Sequence, residues 1–106
     1  MSFIAMNRFK VRHGFEDSFE TMWAERESRL KEMEGFREFR LLRGPDGDGF
    51  RRYISHAVWD SRAAFDAWTK SQQFRDAHKD AGRSKTQDAM MGPPEFEGYD
   101  TVLHEA

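Results

Sequence analysis

Gly44-Pro-Asp-Gly-Asp-Gly49 is the densest turn signal in the sequence, and alternating runs flank it, Phe36 to Arg43 before it and Phe50 to Trp59 after it. Glycine tolerates backbone angles that other residues avoid, and proline fixes φ, so such a cluster reverses the chain. Alternation with a period of two sends successive side chains to opposite faces of a strand. Two such runs joined by a tight turn read as an antiparallel hairpin, and the rest of the chain has to be built onto that sheet. Phe3, Ala5, Asn7, Phe9 and Val11 alternate with Ser2, Ile4, Met6, Arg8 and Lys10, which predicts a first strand. Tyr99 to His104 alternates again and predicts a last one.

Between the strands the period becomes helical. From Phe15 to about Glu34, the residues Phe15, Phe19, Met22, Trp23, Leu30 and Met33 share one side, and Glu34-Gly35 ends the run. Asp60-Ser61 opens two short helices, expected at about 61–69 and 71–81, with Ser71 as the N-cap of the second. Gly82 to Glu97, containing Gly92-Pro-Pro94, reads as a long irregular loop of the kind that borders a site. The resulting order, β-α-β-β-α-α-β over residues 1–106, predicts a single α+β domain, a ferredoxin-like sandwich whose second crossover helix is broken in two. Helices cover one face of such a sheet. Ile4 and Met6 place apolar groups on the other, so a homodimer packed through the sheets, a dimeric α+β barrel, is expected.

Composition narrows the function. Lys and Arg (17) nearly balance Asp and Glu (19) and form no run, which argues against nucleic acid or membrane as a partner. The absence of cysteine removes disulfides, thiolate ligands and thiol nucleophiles. No apolar run reaches transmembrane length, and Met1 to Lys10 lacks the block pattern of a signal peptide, so a cytoplasmic protein is expected. Ten Phe and three Trp make the core aromatic, a composition that suits both ordinary packing and a slot for a flat ligand.

Three polar residues stand where apolar ones belong. Phe74, Ala77, His78 and Ala81 fall at i, i+3, i+4 and i+7, so His78 sits on an apolar stripe where an imidazole nitrogen needs a hydrogen bond or a metal. Arg26 lies among Met22, Trp23 and Leu30 on the long helical stripe, where a guanidinium needs an internal acid, a route to water or a carboxylate on a ligand. Asn7 lies between Ala5 and Phe9 on the helix-facing side of its strand, either bridging backbone groups or aimed into a cavity beside the small Ala5. Trp68, Phe65 and Phe74 read individually as core. Taken jointly, an imidazole, an opposing amide, an indole and a cation describe a pocket between helices and sheet, and heme has those needs. Lys79 and Arg83 are within conceivable reach of its propionates but read as solvated, while His13, His56 and His104 read as structural.

Ala5-Met-Asn7-Arg8, Gly35-Phe36-Arg-Glu-Phe39-Arg-Leu-Leu42, and Phe74-Arg-Asp-Ala-His78-Lys with Trp68 ten residues before His78 resemble the IsdG-type heme-degrading monooxygenases. These belong to the dimeric ferredoxin-like antibiotic-biosynthesis monooxygenase superfamily, and the likeness runs from about Phe3 to Arg83. The resemblance implies that heme is both substrate and cofactor, with His78 as axial ligand of the iron. It further implies that Asn7 hydrogen-bonds on the distal side, that Trp68 presses the macrocycle out of plane, and that Arg26, the looser match, faces the pocket. Dioxygen and electrons from an external reductase or reductant would then open the ring at a meso carbon, releasing iron and a bilin-type product. No flavin or nicotinamide fingerprint is present to supply those electrons internally. The rivals are a cofactor-free monooxygenase of the same superfamily acting on an aromatic or quinol substrate, and a non-catalytic heme-binding or structural protein.

Overall fold

The computed structural model describes residues 2–26, 29–78 and 86–106, and the side chains of 77, 78, 86 and 87 fall outside that description. Four strands, β1 (Phe3–Arg12), β2 (Phe36–Asp46), β3 (Phe50–Trp59) and β4 (Glu95–Asp100), form one sheet in the order β2-β3-β1-β4. Every pairing is antiparallel. The helices are α1 (Glu16–Glu25), α2 (Arg62–Thr69), α3 (Gln72–His78) and the single turn α4 (Thr86–Ala89). This is the ferredoxin-like α+β arrangement expected from the order of periods.

Alternation along β1 decides which residues meet the helices. Phe3, Ala5, Phe9 and Val11 are buried, and Asn7 shares their side, half-buried. The register sets Phe3 opposite Trp59, Ala5 opposite Ala57, Asn7 opposite Ser55 and Phe9 opposite Tyr53. The buried residues divide into two clusters. One gathers Phe3, Ala5, Leu30, Trp59 and Trp68, with Phe36, Phe39, Phe65 and Phe74 against it. The other gathers Phe9, Val11, Phe19 and Tyr53, with Trp23 and Leu41. The pair Asn7 and Ser55 belongs to neither.

Several elements depart from the sequence expectation. The long helix expected from Phe15 to Glu34 ends at Glu25, and a separate 3-10 turn at Leu30–Glu32 follows. The reason is that the apolar stripe serves two clusters, Trp23 packing in one and Leu30 in the other, which one straight helix does not reach. The second strand runs on to Asp46 instead of stopping at Arg43, with irregular register between Arg43 and Asp46. The last strand is Glu95–Asp100, not Tyr99–His104, because β1 begins at Phe3 and offers no partner beyond the Ser2–Thr101 contact. Within the loop expected from Gly82 to Glu97, α4 forms, Met90 bridges to Val11, and the strand begins. Both short-helix caps form as the sequence predicts: Ser61 Oγ accepts from Ala64 N–H at 3.2 Å and Ser71 Oγ from Phe74 N–H at 3.0 Å. Gly35, at φ +86°, is required twice over: the angle favours glycine, and a Cβ there would stand 2.6 Å from that of Ala64 on α2. Among the described residues no helix is long and apolar enough to cross a membrane.

Candidate functional site

The site begins at the band between the two clusters. Leu41, Ser55, Asn7 and Phe96 form one row across all four strands on the helix-facing side. The α1 side of the core packs on the Phe9–Tyr53 row, and α2 packs toward the Phe3–Trp59 row. The middle row is therefore left between helical groups, and its two central members are polar. Neither the Asn7 amide nor the Ser55 hydroxyl hydrogen-bonds a described residue. Polar groups on an otherwise aromatic surface usually have protein partners, so this pair is available to a ligand.

A cleft of about 690 Å³ opens at the Leu41 end of the row, lined by Glu20, Thr21, Trp23 and Ala24 of α1, Phe39, Leu41 and Arg43 of β2, and Tyr53 of β3. That volume lies within the roughly 300–1,000 Å³ typical of small-molecule sites. Trp23 and Phe39 stack at 5.6 Å and 16° to form a flat aromatic wall. The Arg26 guanidinium lies over both rings, 4.5 Å from the Trp23 centroid and 4.9 Å from that of Phe39. Such placement is attractive through the ring quadrupoles. Burial pushes the guanidinium's pKa down, and among the described residues no carboxylate pairs with it. Arg26 thus stands at the helix C-cap with extended backbone and not, as the long-helix expectation had it, mid-stripe.

Three of the residues lining the cleft form a paired triad that the sequence did not flag. Arg43 grips Glu20 with two bonds of 2.8 and 2.7 Å, and the Tyr53 hydroxyl donates to the same carboxylate. Arg43, then Tyr53, hold the Glu20 carboxyl down at about 2. Burial, with Glu20 adding to it, pushes the Tyr53 phenol up. The alternation Phe39, Leu41, Arg43 carried the signal for Arg43, since it places that cation on the helix-facing side.

Trp68 is 6% exposed and packs on Trp59 at 6.1 Å and Phe74 at 5.3 Å, inside the cluster that also holds Ala5 and Ala57. It borders the central row from the α2 side. His78 ends α3, and its side chain lies outside the described residues, as do Lys79 and Arg83. Of the remaining histidines, His13 contacts Glu16 at 3.1 Å, His56 faces the open side of the sheet opposite Met6, and His104 lies in the tail after β4.

Relatives give this geometry a context. Residues 2–80 match the family described as Antibiotic biosynthesis monooxygenase. A heme oxygenase (staphylobilin-producing) from Staphylococcus saprophyticus is 25% identical over 89 residues, covering 84% of this chain and 85% of its own. The structure of the heme-degrader MhuD from Mycobacterium tuberculosis, with two hemes bound in its active site, superposes with a TM-score of 0.74 at 25% identity, covering 98% of this chain and 99% of that one. A mutant of SnoaB, a cofactor-independent oxygenase from Streptomyces nogalater, superposes with a TM-score of 0.70 at 26% identity, covering 97% of this chain and 95% of that one. A shared sequence profile over most of the chain and a shared sheet with its helices lead to one assignment: the chain belongs to the antibiotic biosynthesis monooxygenase family, with its likeness extending to the IsdG-type heme-degrading enzymes.

Proposed function

We propose that the protein is a heme-degrading monooxygenase that takes heme as substrate and cofactor. The observation that carries this reading is a cation and an amide beside an aromatic cleft: Arg26 lies over the Trp23 and Phe39 rings that line it with no carboxylate partner, and Asn7 has no hydrogen-bond partner, among the described residues. A flat apolar molecule with carboxylates at one end and polar chemistry at its centre answers both, which is why the residues present fit heme. When bound, heme supplies the redox iron that activates dioxygen and the carbon ring that is opened, yielding iron and a bilin-type product. Electrons come from a separate reductase or small reductant, and the setting is the cytoplasm.

The chain's own residues divide the work. The stacked Trp23–Phe39 wall and the cluster holding Trp68 provide apolar surface and exclude water. Arg26, already partly desolvated, would meet the propionate carboxylates at little further cost. His78 at the end of α3 would hold the iron, and Asn7 would donate a hydrogen bond from the sheet to orient the oxygen co-substrate. Trp68 would bear on the ring from the α2 side. The protein acts as a homodimer closed through the open sheet face.

Titration of the purified protein with hemin, followed by ascorbate or a reductase with catalase present, tests the reading. Saturable Soret binding and then loss of the band with iron release is the expected result. His78→Ala is expected to lose most hemin affinity, and Asn7→Ala to bind hemin normally but degrade it at least tenfold more slowly. Absence of specific hemin binding would sink the proposal. It would leave a cofactor-independent oxygenase acting on an aromatic or quinol in the same cleft, a reading that the likeness to SnoaB favours.

A further inference from the structure

The central row of the sheet contains a second polar group besides Asn7. Ser55 is 4% exposed, and it is the polar residue buried among the described residues. It faces the helices from β3, directly opposite Asn7 on β1 and Leu41 on β2. Opposite positions in an antiparallel pair bring Cβ atoms to about 4.5–5.5 Å, so the hydroxyl and the amide are neighbours on one surface. Leu41 lines the cleft, and Ser55 stands one strand spacing, about 4.8 Å, inward from it. Along β3, Tyr53 also lines the cleft, two residues away on the same face. Ser55 thus lies between the cleft wall and Asn7.

Its surroundings make the hydroxyl informative. The flanking rows are apolar or aromatic, with Phe9 and Tyr53 on one side and Ala5 and Ala57 on the other. A hydroxyl on such a surface loses water and ordinarily recovers the loss through a protein hydrogen bond. Ser55 makes none with a described residue, and its oxygen is not among the buried side-chain atoms sealed from solvent without a partner. The hydroxyl therefore opens onto the space between the two aromatic clusters. An alanine or valine would fill the position at no polar cost, and the small size of Ser55 keeps the band beside Asn7 open.

We propose that Ser55 is a second ligand-contacting residue, donating a hydrogen bond to the oxygen co-substrate alongside Asn7. This rests on the heme reading above. The amide and the hydroxyl complement one another. Asn7 presents a planar two-donor group, and the O–H of Ser55 rotates, so that it can turn toward a ligand atom beside the amide. Neither residue alone fixes an oxygen laterally, whereas two donors on adjacent strands do.

The test uses carbon monoxide as a probe of the dioxygen position. The hemin complex of the intact protein is reduced with dithionite under carbon monoxide, and the C–O stretch is recorded for wild type, Ser55→Ala and Ser55→Thr. A donor beside the probe lowers the stretch, so Ser55→Ala is expected to raise it, while Ser55→Thr, which keeps the hydroxyl, stays near wild type. The hemin dissociation constant of Ser55→Ala should remain within about twofold of wild type while ring opening slows severalfold. Should Ser55→Ala fold poorly, Ser55→Cys, nearly isosteric with a much weaker donor, is expected to show an intermediate rise. An unchanged stretch in a variant that binds hemin as wild type does overturns the Ser55 assignment and leaves the heme reading intact. Wild type that binds no hemin overturns both.

Discussion

At the scale of single residues, Arg26 separates stability from function. Its guanidinium is desolvated over Trp23 and Phe39 with no acid beside it among the described residues. Desolvated charges of this kind often cost a fold more than they return. Arg26→Leu is therefore expected to leave stability unchanged or raise it by up to about 1 kcal/mol. The same change should weaken hemin binding about tenfold, about 1.4 kcal/mol, through loss of the carboxylate partner. Thermal melts and Soret titrations of one preparation check both signs, and a fall in stability with unchanged affinity would assign Arg26 to packing alone. Glu20 shows the reverse balance. Its carboxyl is held at about 2, below the ordinary 4.5, by Arg43 first and Tyr53 second. A depressed carboxylate contributes stability that is fully present above the ordinary value and is lost as pH falls through the depressed one. Both partners are largely solvated, so screening keeps the contribution small. Urea midpoints should show Glu20→Gln less stable than wild type near pH 7, with the gap closing between pH 4.5 and 2.

At the scale of elements, period and caps were legible, and endpoints were less so. Ser61 and Ser71 cap where the pattern places them, because a cap hydroxyl acts over three residues and needs no tertiary information. The break in the long helix was hidden. Trp23 and Leu30 sit seven residues apart, which satisfies a continuous helix, and only the division of the core into two clusters shows that each serves a different one. The last strand was displaced for the same kind of reason, since only Tyr99 and Asp100 of the run from Tyr99 to His104 pair with β1, which begins at Phe3. Asn7 and Arg26 were legible as polar residues in apolar surroundings. Ser55 was not, because a serine on an alternating strand looks like a solvent-facing position until the register turns it inward. Ser71 links element to site: its hydroxyl accepts from Phe74 N–H and donates to Trp68 C=O at 2.7 Å, joining the end of α2 to the start of α3. Ser71→Ala should cost about 1 kcal/mol. Because α3 ends at His78, it should also speed amide exchange at residues 73–75 and weaken hemin binding severalfold. Faster exchange with unchanged hemin affinity would detach His78 from the site.

At the scale of the whole molecule, the fold is a layer with one bare side. Its extents are 38 × 32 × 20 Å, the thickness of one sheet and the helices over it. On the side away from the helices, Ile4, Met6, Ile54 and Val58 occupy the two central strands, half-buried, and Leu42 and Tyr99 at the edges are 42% and 50% exposed. Apolar groups at the centre of an open sheet face are costly on a monomer, and in the proposed homodimer a second copy would cover them with the same chemistry. The charges favour one orientation. The row Arg40, His56, Met6, Glu97 carries its cation on the β2 edge and its acid on the β4 edge. A two-fold axis parallel to the strands would lay each edge over the opposite edge of the other copy, so that Arg40 would meet Glu97 at both ends. Met6→Glu puts a carboxylate at the centre of that face, where burial without a partner costs several kcal/mol. Sedimentation equilibrium should give wild type twice the chain mass of 12.5 kDa, and Met6→Glu a single chain with unchanged secondary structure by circular dichroism. Because the cleft opens on the opposite side of the sheet, the monomeric variant should still bind hemin. Wild type sedimenting as one chain would refute the dimer, while a monomeric variant that no longer binds hemin would mean that the second copy completes the site.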